Sequence, residues 1–354
     1  MKILQIIDTL AVGGAEKILV LLANLQKRKG HEVTVLTILE PGALAMQLLP
    51  EIPVIALNRK WKFNPIIMYR LVKIAKGYEI IHVHSSHNLR YVFLAFQLFG
   101  LKKVLFFHEH FGNIEIDLSV KWHQRLIYPK VQLIGVSRKI CQWAVEKVGV
   151  PARQVHLLPN TVKDYPFRQN IRNISPDRLY SLILVANIRR PKNIEFALLL
   201  IKSLQMCKLT IVGQVVDKLY FDSLLTQIRQ FGIYDCVTFV FDCKDIQPLL
   251  HQFDLALHTP VSESGPLVLI EYLAQGIPFL SYRTGEIAYQ VEKQFPQFII
   301  DNFKSEEWIK RIQLLLSQNR QLLGSAMRQF YEVHFSEDKY FDECLKIYQK
   351  GLLS

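Results

Sequence analysis

Short apolar segments rich in β-branched residues alternate with amphipathic helical segments, and this alternation constrains the fold most. Residues 1–7 have the pattern of a buried strand, residues 15–29 that of a helix, and residues 32–37 that of the next strand, with a glycine-containing loop after the first strand. The same order begins again with a strand at residues 179–186. Alternating strands and helices predict parallel sheets covered by helices, and 354 residues predict two such domains.

Positive charge is concentrated in the first half of the chain. Residues 1–165 contain 22 Lys and Arg against 11 Asp and Glu, whereas the remainder contains 21 against 20. Such an asymmetry predicts an anionic partner for the N-terminal half, either nucleic acid or the anionic surface of a membrane.

Residues 58–77 combine basic and aromatic side chains. Asn64 followed by Pro65 is a helix start signal, and Trp61, Phe63 and Tyr69 are interleaved with six Lys and Arg. This composition predicts a basic amphipathic helix that lies on a membrane surface. A helix packed on a sheet with a solvated basic face would show the same stripe, so both interpretations stay open.

Other features indicate the reducing cytoplasm. No apolar run reaches the roughly 18 residues of a membrane-spanning helix, and the N-terminal stretch lacks the cleavage-site pattern of a signal peptide. The five cysteines are odd in number, scattered and without a C-x-x-C pair. We therefore expect the thiols to act as small buried hydrophobic groups rather than as disulfides.

Residues 262–271 (SESGPLVLIE) carry the strongest functional signal. Glu263 and Glu271 are separated by a turn at Gly265 and Pro266 and by an apolar run that can begin a buried helix. Such a turn leaves the N–H groups at the helix start facing outward, which makes an anion site. We expect Glu263 at the mouth of this site and Glu271 within reach of a ribose, an arrangement that suits a sugar nucleotide.

Two further loops follow strands and carry groups suited to the same ligand. Arg189, Arg190 and Lys192 lie between a strand and a helix start, where cations can neutralise a diphosphate. Gly13 and Gly14 follow the first strand, and ligands of open α/β sheets bind at the carboxyl ends of the strands.

These motifs resemble those of retaining GT-B glycosyltransferases of family 4 (group 1). The two glutamates with seven residues between them, the continuation at residues 272–278 (YLAQGIP), Gly-Gly-Ala-Glu at residues 13–16 and Pro-Asn-Thr-Val at residues 159–162 are similar to motifs of that family. The resemblance implies an α/β protein of the GT-B fold, with two facing Rossmann-like domains and the active cleft between them. It also implies transfer of a sugar from a nucleotide-sugar donor, with retention at the anomeric carbon.

The resemblance assigns roles to individual residues. Glu271 would hold the ribose, and Lys192 with either Arg189 or Arg190 would hold the diphosphate. His108 and Glu263 would bind the sugar hydroxyls. Close backbone approach to the donor is implied at a further group of positions: Gly13, Gly14, Gly265 and Leu267. No metal or cofactor is implied, since the donor, expected to be UDP-linked, is a substrate.

Three positions depart from the family pattern, and the first is Thr161, which stands where the family has glycine. Asn187 stands where the family has the arginine that binds the diphosphate, so one of the two following arginines must supply the charge. Glu109 follows His108 where the family commonly has aspartate, which leaves the partner of His108 to be identified.

The resemblance also implies different binding roles for the two domains. We expect residues 1–165 to bind the acceptor and residues 175–335 to bind the nucleotide sugar, with a polar connection at residues 163–178. The last helix, at about residues 338–354, would cross back to the first domain. The acceptor would be a glycan or a lipid-linked saccharide of cell-surface polysaccharide, capsule or lipopolysaccharide synthesis. With the charge asymmetry, this predicts a peripheral enzyme at the cytoplasmic face of an anionic membrane.

Three alternatives are left open by the sequence. A UDP-sugar epimerase of the same fold would use the nucleotide sugar without an acceptor. A nucleic-acid-binding protein would use the basic half but leaves the paired glutamates unexplained, so we expect no nucleic-acid partner. Zinc would need ligands from His82, His84, His87, His108 and His110, whose spacing lacks a second matched pair; we expect structural histidines and no metal.

Overall fold

The computed structural model describes residues 1–168, 179–243 and 245–353. The chain divides into two compact units: the first is Met1–Lys163 with Glu337–Ser354, and the second is Asp164–Ser336. Most of the expected polar connection, at residues 169–178, lies outside the described residues.

Each unit is built on one parallel β-sheet. The strands of the first unit are β1 Lys2–Ile7, β2 Glu32–Thr37, β3 Val54–Ala56, β4 Ile80–His84, β5 Leu105–Glu109, β6 Gln132–Gly135 and β7 Val155–Leu157. Those of the second unit are β8 Tyr180–Val185, β9 Cys207–Val212, β10 Val237–Val240, β11 Leu255–His258, β12 Phe279–Tyr282 and β13 Ile299–Ile300.

Helices follow most strands. The first unit contains α1 Gly14–Arg28, α2 Pro65–Ala75, α3 Ser86–Leu98, α4 Trp122–Ile127 and α5 Arg138–Trp143. The second contains α6 Ile194–Ser203, α7 Lys218–Phe231, α8 Gln247–Leu250, α9 Leu267–Ala274, α10 Gly285–Gln294, α11 Ser305–Ser317 and α12 Arg320–His334, and the final helix, α13 Glu337–Leu353, belongs to the first unit. In the described part of the chain, no helix has the length and apolar character needed to cross a membrane.

The two sheets share one topology. The first has the order β3-β2-β1-β4-β5-β6-β7 and the second β10-β9-β8-β11-β12-β13, and every strand pair is parallel. The strand order therefore reverses between β1 and β4 and again between β8 and β11, the points at which open α/β sheets bind ligands. The predicted pair of Rossmann-like sheets is confirmed.

The final helix packs closely on the sheet of the first unit. A Cβ atom added to Gly351 would lie 2.5 Å from the ring of Phe106 on β5, and the ring centres of Tyr348 and Phe106 are 5.0 Å apart. A side chain at position 351 would push α13 away from β5, since a Cβ contact under 3.0 Å must be relieved by movement.

Local differences from the sequence interpretation have identifiable causes. Helix α5 ends at Trp143, the chain continues as a π-helical turn to Val148, and Gly149 stops it with φ +89°. Helix α3 was not predicted, because it begins after Ser85 at φ +70° without a side-chain cap.

The expectation that all cysteines are buried is wrong for three of the five. Cys207 and Cys344 are buried, whereas Cys141, Cys236 and Cys243 are partly exposed, and none of the five, all within the described residues, forms a disulfide. Cys243 lies in a loop and Cys236 directly before β10, whereas Cys141 lies within α5.

Candidate functional site

The motif with the two glutamates lies where the second sheet reverses its strand order. Residues 259–266 connect the carboxyl end of β11 to α9, which begins at Leu267. Pro266 is the N-cap of α9 rather than part of its first turn. Glu271 lies in the second turn of α9 and is only 7% exposed. The N–H groups of the first turn of α9, from Leu267 onward, therefore lie next to the turn at Gly265 and Pro266, and the N–H groups of a helix start favour an anion.

Lys192 and Glu263 form an ion pair in the second unit. The Lys192 ammonium donates to Oε1 of Glu263, and the two side chains are only 14% and 16% exposed. An ion pair at this depth is weakly screened by solvent, so removal of one partner leaves a poorly solvated charge. The structure thus brings together two residues that the sequence placed in one site from segments 71 positions apart.

The loops that carry this ion pair are joined through their backbones. The N–H of Val261 donates to the carbonyl oxygen of Pro191 at 3.0 Å, and Oγ1 of Thr259 donates to the carbonyl oxygen of Lys192 at 3.0 Å. The loop before α6 and the loop before α9 therefore hold each other in place, and with them Lys192 and Glu263.

A third loop supports the motif from the other side. The N–H of Glu263 donates to Oγ1 of Thr284 at 3.0 Å, and the N–H of Glu286 donates to the carbonyl oxygen of Ser264 at 2.8 Å. Gly285, between them, has φ +79°, and a Cβ there would lie 2.7 Å from Cδ of Pro266. Only glycine permits this contact in this backbone conformation.

Replacing Gly285 with alanine is expected to destabilise the protein by about 2–4 kcal/mol, from left-handed strain and displacement of the Pro266 turn. Gly232→Ala is the matched control in the same unit, because Gly232 has φ +67° but no atom within 4 Å of the added Cβ. It should cost only the strain, about 1 kcal/mol. Urea unfolding of both variants measures the difference in the free energy of unfolding. Equal losses of stability would show that contact with the Pro266 turn adds nothing to the cost at position 285.

The two candidate arginines lie on the same loop as Lys192. Arg189 and Arg190 are both exposed, and the Arg190 guanidinium lies 5.9 Å from the ring centre of Tyr220. The Tyr220 hydroxyl accepts from the N–H of Ile194 at 2.8 Å and donates to the Glu195 carboxylate, so it fixes the start of α6. Both arginines remain candidates for the diphosphate, with Arg190 the one that has a rigid aromatic neighbour.

In the first unit, four histidines form a cluster at the carboxyl ends of β4 and β5. His84 pairs with His108 across the two strands, and alternation places His82 and His110 on the same face. His82, His84 and His108 are completely buried. The His82 and His84 rings stack with centres 4.5 Å apart, and the His108 and His110 rings are tilted against each other with centres 4.2 Å apart.

These imidazoles are neutral in the folded protein. Burial lowers the pKa of His82, His84 and His108 well below its ordinary value, and neighbouring histidines lower it further. Burial also lowers the pKa of His110, to about 3. Neutral imidazoles bind metals, and one ring nitrogen each of His82, His84 and His108 lies within 4.8 Å of the others.

Hydrogen bonding nevertheless argues against a metal centre at this cluster. His84 uses both ring nitrogens, Nδ1 with His110 at 3.2 Å and Nε2 with Gln5 at 3.0 Å, and His82 uses Nδ1 with the Tyr348 hydroxyl at 2.6 Å. A metal ligand needs a free lone pair, so this set of three would have to break its network. Both nitrogens of His108 have no partner among the described residues, which makes His108 the member suited to a substrate hydroxyl.

Glu109 is not the partner of His108. Its carboxylate accepts from the Tyr128 hydroxyl at 2.8 Å and from the N–H of His110 at 3.1 Å. Successive side chains of a strand point to opposite faces, so Glu109 faces away from the histidine cluster. Burial raises the pKa of Glu109 to about 6, partly offset by these hydrogen bonds.

In the glycine loop after β1, the space beside Gly13 is occupied by the side chain of Glu16 from α1. Gly13 is the N-cap of α1, which starts at Gly14, and a Cβ on Gly13 would lie 2.2 Å from Oε2 of Glu16. Burial raises the pKa of the Glu16 carboxyl, and nearby Asp8 raises it further. In this structure the Glu16 carboxylate therefore covers the backbone at which close donor approach was predicted.

Sequence reasoning missed several residues that shape these sites: Gln5, Glu16, Gln26, Tyr220, Thr284, Gly285 and Tyr348. Most are single polar residues inside apolar helices or strands, a pattern that signals a buried hydrogen-bond network only when the partner is known. Gly285 lies in the short connection between β12 and α10, and a glycine shortly after a strand was a usable signal of a special turn.

Two parallel α/β units with these strand-end loops define the fold of GT-B glycosyltransferases. The model of Glycosyltransferase Family 4 matches residues 12–164, and that of Glycosyl transferases group 1 matches residues 168–330. The chain belongs to this family, family 4 (group 1) of the glycosyltransferases.

The sequence is also similar to that of one relative. EpsF, a candidate glycosyltransferase of Bacillus subtilis (strain 168), is 24% identical over 239 residues, which are 61% of this chain and 61% of EpsF. The match thus spans less than two thirds of that relative.

Solved structures share the fold over nearly the whole chain. HepE of Anabaena, in complex with UDP and glucose, is 18% identical with a TM-score of 0.80 and 98% of each chain covered. A glycosyltransferase of Rickettsia africae ESF-5 is 16% identical with a TM-score of 0.80, covering 99% of this chain and 98% of its own. The lipopolysaccharide outer core galactosyltransferase WaaB is 17% identical with a TM-score of 0.72, covering 98% and 99%.

Proposed function

We propose that this protein transfers a sugar from a UDP-linked donor to a hydroxyl group of a glycan or lipid-linked acceptor, with retention at the anomeric carbon and without a bound metal. The partly buried ion pair of Lys192 and Glu263, beside the N-terminus of α9, is the observation that carries this proposal. The HepE structure, which holds UDP and glucose, supports the choice of donor.

The ion pair of Lys192 and Glu263 suggests how the nucleotide-sugar donor binds. The diphosphate carries more negative charge than one carboxylate, so its arrival draws the Lys192 ammonium away from Glu263. Glu263 is then free to accept a hydrogen bond from a sugar hydroxyl. Lys192, Arg189 or Arg190 and the N–H groups at the start of α9 stabilise the charge that develops on the leaving diphosphate.

The remaining roles follow the positions of the side chains. Glu271, buried in α9, accepts from the ribose hydroxyls, since a carboxylate only accepts hydrogen bonds. His108, whose two ring nitrogens have no partner among the described residues, binds a sugar hydroxyl as donor and acceptor. Gly13 and Gly14 admit the donor closely if the Glu16 carboxylate turns aside.

Thermal shift with a panel of nucleotide sugars tests the proposal. A donor that binds only the folded protein, at 100 times its Kd, stabilises it by about 2.7 kcal/mol. At least one UDP-linked sugar is expected to raise the Tm, and Glu271→Gln should reduce that shift. A panel in which no nucleotide sugar changes the Tm would overturn the proposal.

The acceptor is proposed to lie on a membrane, because one surface of the first unit combines apolar side chains with cations. On α2, Met68, Leu71 and Val72 are buried, so that face packs on the core. Trp61, which precedes α2, and Ile66, in its first turn, are 73% and 79% exposed. A merely solvated helix face has no need of such side chains.

We propose that helix α4 adds to the same surface. Helix α3 contacts both α2 and α4, and on α4 Trp122 and Leu126 are 73% and 57% exposed. With Phe63, 64% exposed, these side chains can enter an interface while nearby Lys and Arg each gain about 1 kcal/mol from anionic lipid. We propose a peripheral enzyme at the cytoplasmic face of the membrane, in cell-surface polysaccharide, capsule or lipopolysaccharide synthesis.

Sedimentation with vesicles containing acidic lipid is expected to carry the protein down at low salt. Replacing Trp61 and Phe63 together with serine should weaken this binding by about 10- to 100-fold, because two rings no longer leave water. Leu219→Ser is the control, since Leu219 is 79% exposed but lies in the second unit. Protein that stays in the supernatant, or that binds neutral vesicles equally well, would contradict electrostatic docking.

A further inference from the structure

The final helix reaches the histidine cluster through one side chain, Tyr348. Its hydroxyl oxygen lies 2.6 Å from Nδ1 of His82, and its ring meets the His82 ring edge-on at 5.7 Å. Gln26 of α1 donates Nε2–H to the same hydroxyl at 3.0 Å. Tyr348 is 1% exposed, so water does not compete for these hydrogen bonds.

The hydrogen bonds around Tyr348 form a chain with one direction. His84 Nε2 donates to Gln5 Oε1 at 3.0 Å, Gln5 Nε2 donates to Gln26 Oε1 at 2.9 Å, and Gln26 Nε2 donates to the Tyr348 hydroxyl at 3.0 Å. An amide oxygen only accepts, so the proton of neutral His84 is on Nε2. Its Nδ1 therefore accepts from Nε2 of His110.

The direction of this chain assigns the proton of Tyr348. The hydroxyl accepts from Gln26 and has one proton left to donate, with His82 Nδ1 and the Cys344 thiol as its neighbours. The ring nitrogen of a neutral imidazole is a strong acceptor, whereas sulfur is a weak one. Tyr348 therefore donates to His82, which fixes the His82 tautomer with its proton on Nε2.

The His82 ring contacts the His108 ring and limits its orientation. No hydrogen bond from a described residue orients the His108 ring, so its orientation comes from the rings around it. The His82 ring stacks on it at 5.3 Å and 25°, and the His84 and His110 rings are tilted against it at 5.3 Å and 4.2 Å. A His82 ring that turned would change the surface on which His108 packs.

We propose that Tyr348 is a positioning residue for the reaction: by donating to His82 it fixes that ring, and through it the direction in which His108 presents its nitrogens to the sugar. This inference rests on the proposed role of His108 in sugar binding. It gives the final helix a part in the reaction without contact between Tyr348 and substrate.

Removal of the Tyr348 hydroxyl is expected to release the His82 ring, and through it the His108 ring, from a single orientation. In Tyr348→Phe, Nδ1 of His82 loses its donor and Nε2 of Gln26 loses its acceptor, both in buried surroundings. Unpaired buried polar groups are unfavourable. The His82 ring then exchanges tautomer or turns, and the His108 ring loses its single orientation.

The test compares Tyr348→Phe with Tyr340→Phe in the full-length protein. Tyr340 is on the same helix, is 3% exposed, and its buried hydroxyl has no partner among the described residues, so its replacement removes an equivalent group outside the network. Tyr348→Phe is expected to lower kcat by about 10- to 100-fold, as expected for a misplaced catalytic geometry, with the donor KM within about twofold. Tyr340→Phe should keep both constants.

Ring ¹⁵N NMR supplies a readout that needs no activity. Wild-type His82 is expected as the Nε2–H tautomer, and in Tyr348→Phe the His82 and His108 signals should shift or broaden. A wild-type His82 protonated on Nδ1, unchanged His108 signals in Tyr348→Phe, or equal losses of kcat in both variants would overturn the positioning role. A wild-type protein that transfers no sugar from any donor would overturn the proposed function instead, and the NMR result would still decide the geometry.

Discussion

Replacing Lys192 with alanine is expected to lower kcat/KM for the donor by about 10²- to 10³-fold, the loss typical of one charge-stabilising donor at a reacting group. The reason is the position of Lys192: it is nearly buried, paired with Glu263, and carried by a loop joined to the motif loop through backbone hydrogen bonds. Steady-state kinetics with the donor identified by thermal shift measures the effect.

Two controls separate lost catalysis from lost structure. Lys208→Ala removes an exposed lysine from β9 of the same unit and should keep full activity. The double variant Lys192→Ala with Glu263→Gln removes the unpaired carboxylate that the single variant leaves behind, so it should recover stability but not activity. Activity of Lys192→Ala within tenfold of the parent would remove Lys192 from the reaction.

Acid is expected to destabilise the first unit steeply, because four neutral histidines are buried in it. The folded pKa of His82, His84, His108 and His110 is lowered, first by burial. The unfolded chain binds protons near pH 6.5, so the folded state keeps its full stability above that pH. Below pH 6.5, each histidine lowers the free energy of unfolding by up to about 1.4 kcal/mol per pH unit, until the pH reaches the pKa of that histidine in the folded state.

Four such groups together lower the free energy of unfolding by up to about 5 kcal/mol per pH unit. Glu109 acts in the opposite sense, because its pKa is raised to about 6; the folded state regains about 2 kcal/mol as pH falls from 6 to 4.5. The histidines therefore dominate. Urea unfolding at pH 7.5 and pH 5.5 measures the loss.

A variant at the edge of the cluster tests whether the histidines cause this pH dependence. His110→Gln should reduce the loss of stability between the two pH values by about 1.4 kcal/mol, because the folded protein then keeps one buried neutral imidazole fewer. Stability that is constant between pH 7.5 and pH 5.5 would show that the imidazoles are not buried as neutral groups.

The fold followed from local sequence patterns. The strands Lys2–Ile7 and Glu32–Thr37 occur at the predicted residues to within one position, because a run of buried β-branched and apolar residues fixes each. The strand Val54–Ala56 was not predicted, since three residues are too few for a pattern. Parallel sheets tolerate such short edge strands, which bury little surface of their own.

The site was predictable only as a set of residues. The sequence indicated Lys192 and Glu263 separately, but their ion pair depends on two loops that meet at the switch point of the sheet. Similarly, a strand period of two places His82 with His84, yet the register of β4 against β5 is needed to bring His108 beside them. Partners distant in sequence, such as Tyr348 and His82, leave no local signal.

The most direct test of the central claim is the product formed from the nucleotide sugar. The protein is incubated with the donor that raises its Tm, with and without a saccharide acceptor, and ¹H NMR follows nucleoside diphosphate release and the anomeric signal of the transferred or hydrolysed sugar. The account predicts release of the nucleoside diphosphate, a first-formed product with the donor's anomeric configuration, and loss of both in Lys192→Ala. An inverted first product would contradict retention, and an epimerised sugar or no diphosphate release at all would contradict glycosyl transfer.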